Sequence, residues 1–484
     1  MHVSSLFGDH SIGSFGKEAR KFVDFLCEGG FTYWQVLPFC MADDSNSPYK
    51  SYSAFGGNPF FIDLPTLKEK GLLTEGELES AKQRTPYLCE YGRLGEERIA
   101  LLKRAAARVD MYGREKIAAF IATHKELDDA ARFLALRTAN ADTPWTEWTV
   151  IEPSEGELFF WQFVQYEFFT QWLQIKQYAN RRGIRIIGDI PIYVAYDSCD
   201  VWANTSQFKL NEEGHPTCVA GVPPDYFCED GQLWGNPLYN WEKMRQDGYA
   251  WWTARLQKAL SMYDIVRIDH FRGFDRFYAI PAGSKNARVG CWRDGPKEAL
   301  FEGKKDWKII AEDLGILDDG VYRLMRNTGY PRMKVLEFAF DGNPEQEFKP
   351  SNYDENCVVY TGTHDNATFI EFLEDLDEDT REIFYRDLVS ECKKAGVRFA
   401  YRAEQVNDPE TMQRARAATV RLAYVSCAKY VILPLQDLLG TGAESRMNTP
   451  GTLSDRNWSW RCPASAMSRT LAQKISRIAK RGNR

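Results

Sequence analysis

Hydrophobic residues along the chain fall into short apolar runs that end in polar or acidic residues, separated by longer segments with helical spacing. The runs are Tyr33–Pro38, Arg185–Asp189, Ile265–His270, Lys308–Asp313, Met333–Phe338, Val358–Asp365 and Tyr430–Pro434. Each is brief, rich in β-branched residues and bounded by turn formers, which predicts a strand buried on both faces. A shorter run, His2–Ser5, opens the chain and makes an eighth candidate. Between them, Ala19, Phe22, Val23 and Leu26 share one helical face that Gly29-Gly30 closes. The segment Leu158–Ala179 has helical length, and its Phe, Trp and Tyr residues go most of the way round, so it reads as a buried packing helix. Strands alternating with helices predict a parallel sheet, and eight repeats predict a (β/α)8 TIM barrel whose site lies at the C-terminal strand ends.

The spacing is uneven, which locates insertions at the barrel mouth. We read residues 1–484 as a single catalytic barrel with a helical insertion over roughly 62–180, between the second and third strands, and a loop-rich one over roughly 195–262, between the third and fourth. A net charge of −7 gives no reason to expect nucleic acid or an anionic membrane as partner. No run of about 18 apolar residues predicts a membrane span, and Met1–Gly16 lacks the pattern of a signal peptide. The 11 cysteines form no C-x-x-C pair, so neither zinc spacing nor a closed disulfide framework is expected, and the reducing cytoplasm is the simplest location. Abundant aromatics are first of all core, but some can form platforms for the apolar face of a sugar.

Three predicted strand ends deliver a carboxylate to one face: Asp269, Glu312 and Asp365. A lone acid after a strand is usually an N-cap or a solvated loop residue. Here His270 follows Asp269 and His364 precedes Asp365, although the chain holds only six histidines. Arg267 lies two residues before Asp269, on the same side of a strand, where its guanidinium favours an ionised carboxylate. Glycoside chemistry needs two such groups, one ionised to engage an oxocarbenium-like carbon and one protonated for the leaving oxygen. The residues alone therefore point to a glycosidase or glycosyl transferase on a barrel.

The motifs sharpen this. Ser47-Pro48-Tyr49 through Phe55-Gly56-Gly57-Asn58-Pro59, Gly188–Val194, Gly221–Tyr239, Arg267–Gly273, Ala311–Gly315, Thr361–Asn366 and Met447–Thr452 occur in that order. In these stretches the chain resembles the amylomaltases, or disproportionating 4-α-glucanotransferases, of the α-amylase clan, over nearly its whole length. The resemblance implies that Asp269 is the nucleophile, Glu312 the general acid and base, and Asp365 the residue that holds sugar hydroxyls. It further implies that Arg267, His270, His364, Tyr49 and Asp225 contact the glucan, with Trp234 a stacking residue in the loop over the cleft. The implied partners are α-1,4-glucans, maltooligosaccharides and glucose; no cofactor or metal is called for, and no D-x-D-x-D-G calcium loop is visible. Relative to the family, the first strand looks shortened at its N-terminal end, and the C-terminal β-domain of α-amylases is not expected. The rival readings are a hydrolase that uses the same carboxylates but passes the intermediate to water, a non-catalytic glucan-binding barrel, and a structural or interaction protein, which has no positive support. The second would be expected to have lost one of the three carboxylates. Asp189, near the expected cleft floor, reads as a structural hydrogen-bonding residue, and Tyr193 and Tyr196 as packing residues.

Overall fold

A computed structural model of the chain describes residues 1–224, 229–315 and 317–482. Eleven strands are present among these residues: β1 (Tyr33–Gln35), β2 (Arg185–Ile190), β3 (Cys218–Val222), β4 (Gln232–Pro237), β5 (Ile265–Ile268), β6 (Arg276–Pro281), β7 (Cys291–Asp294), β8 (Ile309–Ala311), β9 (Arg332–Val335), β10 (Cys357–Tyr360) and β11 (Tyr430–Ile432). Seven of them form one sheet in the order β1-β2-β5-β8-β9-β10-β11, with every neighbour parallel. Apart from exposed Arg185 and half-buried residues on β1, β9 and β11, the sheet is buried on both faces, as helix-covered parallel strands must be. The sheet curls into a barrel: the rings of Tyr33 on β1 and Tyr430 on β11 meet edge to face at 5.2 Å.

The eighth position corrects the sequence reading. Residues Val3–Ser5 form a buried 3-10 turn, not a strand. The turn spends the Val3 carbonyl on the N–H of Leu6, and the Ser4 carbonyl goes to Gly13, so neither is left for a ladder. Met1 and His2 still occupy the seam between β1 and β11. The Met1 carbonyl accepts from the Trp34 indole at 2.7 Å, and Nδ1 of His2 accepts from the Leu37 N–H at 3.1 Å.

Helices fill the chain between β1 and β2, chief among them Ile99–Ala107, Met111–Ala122, Lys125–Ala139 and Glu155–Arg181. Ser154 caps the last of these by accepting from the Glu157 N–H. Its Phe163, Phe168, Trp172 and Ile175 are buried, and Trp172 packs edge to face on Phe39 at 4.6 Å. A Cβ on Gly57 would collide with the ring of Phe168, which explains the glycine in the Gly56–Pro59 stretch. Gln165 and Gln171 of the same helix accept from the N–H groups of Gly57 and Asp63, each at 2.8 Å. One helix thus fixes the loop that carries Tyr49.

A second, antiparallel sheet in the order β4-β3-β6-β7 stands on the chain around β5. Gly and Pro punctuation of residues 221–237 conceals β4, and β4 and β7 are largely exposed and lack the apolar alternation of half-buried strands. This sheet brings Trp234 to the barrel mouth.

Candidate active site

Arg267 lies in the middle of the site because β5 pairs in register with β2, which sets Arg267 opposite Asp189. Its Nη1 donates to both oxygens of Asp189 at 2.9 and 2.7 Å, and its Nη2 lies 2.9 Å from Oδ1 of Asp269. The Arg267 and Asp189 side chains are 5% and 0% exposed, so this pair has no water to fall back on, whereas Asp269 is 30% exposed to the cleft. Burial disfavours the guanidinium's charge, but the carboxylates of Asp189 and Asp269 outweigh it and raise its pKa well above the ordinary value.

Glu312 leaves the end of β8 beside Asp269. Two backbone bonds lock these strand ends together: Glu312 N–H to the Ile268 carbonyl at 3.1 Å, and Phe271 N–H to the Glu312 carbonyl at 2.9 Å. Oε2 of Glu312 accepts from the His270 N–H at 2.6 Å, and Oε1 from the Leu314 N–H at 2.7 Å. His270 adopts a left-handed backbone, φ 53°, uncommon outside glycine. Burial and the neighbouring Asp269 push the Glu312 carboxyl up to about 7, against the pull of Arg267 and the two N–H donors. Burial likewise lowers the His270 ring to about 4, so it is neutral near pH 7.

Asp365 comes from the turn after β10. Its Oδ1 accepts from the Asn448 side chain at 2.7 Å, and Oδ2 lies 3.4 Å from Nε2 of His364. Burial works against the Asp365 carboxylate, but His364 and Asn448 together hold its pKa well below the usual range. The His364 ring stacks on Tyr49 at 5.0 Å with a 13° interplanar angle, and the Tyr49 hydroxyl donates to Asp189 at 2.8 Å. A chain of contacts therefore runs from Asp365 through His364, Tyr49 and Asp189 to Arg267 and Asp269. Trp234 stands on the opposite wall, 37% exposed, with its ring edge to face with His270 at 4.9 Å.

Of the residues singled out from the sequence, Asp269, Glu312, Asp365, Arg267, His270, His364, Tyr49 and Trp234 are brought together; Asp225 lies outside the described residues. Asp189 is more than a generic hydrogen-bonding residue, being the buried counter-charge of Arg267. Two neighbours went unnoticed. Asn448 had a signal, its place in the Met447–Thr452 stretch. Trp458, whose ring packs 5.7 Å from His364, had none. Among the described residues no helix is long and apolar enough to cross a membrane.

Two carboxylates at adjacent strand ends, one paired with an arginine and one driven toward its protonated form, suit attack at a sugar carbon with protonation of the leaving oxygen. A family model described as 4-alpha-glucanotransferase matches residues 1–467. The 4-alpha-glucanotransferase of Clostridium butyricum is 40% identical, covering 99% of both chains, and that of Thermus thermophilus is 40% identical over 95% of this chain and 93% of its own. Among solved structures, the amylomaltase from Streptococcus agalactiae in complex with acarbose superposes with a TM-score of 0.92 at 34% identity, covering 100% of this chain and 98% of its own.

Proposed function

The chain belongs to the 4-alpha-glucanotransferases, and from that premise we propose how its three carboxylates divide the transfer reaction. The enzyme moves segments of α-1,4-glucan to the 4-hydroxyl of glucose or of another α-1,4-glucan. In the first step a carboxylate oxygen of Asp269 bonds to C1 of a glucose unit. The C1–O4 bond breaks, and the proton of Glu312 goes to the leaving O4. In the second step the acceptor's 4-hydroxyl gives its proton to Glu312 and bonds to C1, and the ester to Asp269 breaks. Two displacements restore the α configuration. Asp365 holds hydroxyls of the reacting glucose, supported in its orientation by Asn448 and His364.

The observation that carries this reading is the contrast between neighbours: Asp269 is ion-paired with Arg267, while burial next to Asp269 drives Glu312 toward its neutral form. Arg267, His270, His364 and Tyr49 form the wall and floor around the reacting glucose. Trp234 offers an apolar face to the glucan, and Asp225 of the same loop is proposed as a further donor-site contact. Water is the competing acceptor. The antiparallel sheet that carries Trp234 over the cleft favours a glucan in its place.

Maltotriose alone tests the reaction. Transfer yields glucose together with maltopentaose and longer chains; a product set of only glucose and maltose would overturn it. A fluorinated glucosyl donor should label Asp269, and a label on any other carboxylate would overturn the assignment of roles.

A further inference from the structure

Glu337 is a buried carboxyl group that the reaction as written does not use. It sits in the 3-10 turn Leu336–Phe338 directly after β9, and only 6% of it is exposed. Its own N–H donates to the Thr361 carbonyl at 3.2 Å, which seats it beneath the turn that carries Asp365. A Cβ on Gly362 would come within 2.5 Å of its Oε1, so only a glycine allows the turn this close.

Three groups inside the turn depend on one amide. Oδ1 of Asn366 accepts from the N–H of Thr363 at 2.9 Å and from its hydroxyl at 2.7 Å, and the same hydroxyl accepts from the Asp365 N–H at 3.3 Å. With its oxygen so committed, Asn366 has its NH2 left to donate, and the Glu337 carboxyl is its neighbour: Oε1 of Glu337 and Cβ of Asn366 lie 2.5 and 3.4 Å from the same point, the Cβ position of Gly362. Oε1 of Glu337 is buried and has no hydrogen-bond partner among the described residues.

We propose that Glu337 is a positioning residue for the transfer reaction: it fixes the Asn366 amide, and through it the Thr361–Asn366 turn and the aim of Asp365. The inference rests on the reading of Asp365 as the residue that holds the reacting glucose. Glu337 does this as a neutral acid. Facing it are Asp437 of the helix Leu435–Leu439, itself buried and bonded to Thr361 and Phe369, and the pair Arg446–Glu371 at 3.2 Å. Arg446, the cation facing it, is thus matched by its own carboxylate, and a second buried acid stands close. An ionised carboxylate there would be buried with an oxygen unpaired, which is costly. Burial first, and Asp437 second, raise the Glu337 pKa well above the ordinary glutamate range.

The test compares E337A, E337Q and D365N in the full-length enzyme, with maltotriose disproportionation and thermal unfolding as readouts. E337A should unfold cooperatively and lose kcat by about tenfold to a hundredfold, as expected when a reacting contact shifts by an ångström or so. E337Q keeps an acceptor for the Asn366 amide and should stay within about threefold of wild type in kcat. The sign of the linkage gives a second measurement. A carboxyl whose pKa is raised by folding makes stability fall as pH rises above the unfolded value, so E337Q should gain stability over wild type progressively as pH rises above about 4. E337A with kcat within about twofold of wild type, E337Q as impaired as E337A, or a stability difference that is flat with pH would each overturn the proposal. D365N separates the two readings. If it leaves kcat intact, the role of Asp365 fails and this inference with it; if it lowers kcat while E337A does not, the inference alone fails.

Discussion

The backbone N–H of His270 meets Oε2 of Glu312 at 2.6 Å, so the residue after the proposed nucleophile orients the proposed proton donor. The contact forms where His270 adopts a left-handed backbone just past the end of β5. It aims the carboxyl without neutralising it, because burial beside Asp269 still pushes the group up to about 7.

Activity therefore depends on Glu312 carrying its proton. As pH rises through about 7 the acid form is lost, so kcat/KM should fall on the alkaline side with a midpoint near that value. E312Q should lower transfer by about 10²–10⁴-fold and abolish that limb. A pH–rate profile measured under subsaturating maltotriose checks both.

Removing Arg267 strands Asp189. R267A leaves a fully buried carboxylate without its bidentate partner, and we expect a loss of about 3–5 kcal/mol in stability. Urea unfolding measures this directly. Activity should fall as well, since Asp269 loses its 2.9 Å contact.

Tyr49 serves two ends. Y49F keeps the ring on His364 but gives up the 2.8 Å bond to buried Asp189, and should cost about 1.5–3 kcal/mol, the range for a bond to a charged group. Y49A also removes the stack and should raise KM more than Y49F does. Steady-state kinetics of the two variants separate the contributions.

His364 should titrate above an ordinary histidine. Burial opposes its charge, but Asp365 more than compensates and raises its pKa. The charged pairing contributes stability that is fully present below the unfolded value of about 6.5 and is lost as pH rises through the higher folded value. Because half of the Asp365 side chain is exposed, that contribution is small. NMR titration of the ring should give a midpoint above about 6.5 in the native enzyme, and a lower one in D365N.

Trp234 tests the acceptor side. W234A removes an aromatic face and its contact with His270, and should raise KM for the acceptor glucan by about two- to tenfold, the equivalent of 0.5–1.5 kcal/mol. The share of hydrolysis should rise as well. Product analysis by chromatography shows the ratio.

Local pattern was enough to find seven of the barrel strands, the helix before β1 and the packing helix before β2. Each is encoded by residues within a few positions of one another. The carboxylates were legible for the same reason, because each ends an apolar run inside a short motif. The run His2–Ser5 misled because four residues leave the competition between strand and turn to tertiary partners, here Gly13, Trp34 and Leu37. The antiparallel sheet around Trp234 was hidden because its central pair, β3 with β6, joins residues 57 to 63 positions apart.

The sequence by itself determined that the three carboxylates, Arg267, His270 and His364 sit at or just beyond strand ends. Only the tertiary structure decided their protonation and their aim. Asp189 and Arg267 meet across 78 residues, Asn448 and Asp365 across 83, and Glu312 is driven toward its acid form by burial and by Asp269. Strand periodicity acts between neighbours in sequence, whereas desolvation and Coulomb interactions sum over whatever folding brings near. The three carboxylates can thus be found by reading along the chain, but the differences among them arise only in the folded barrel.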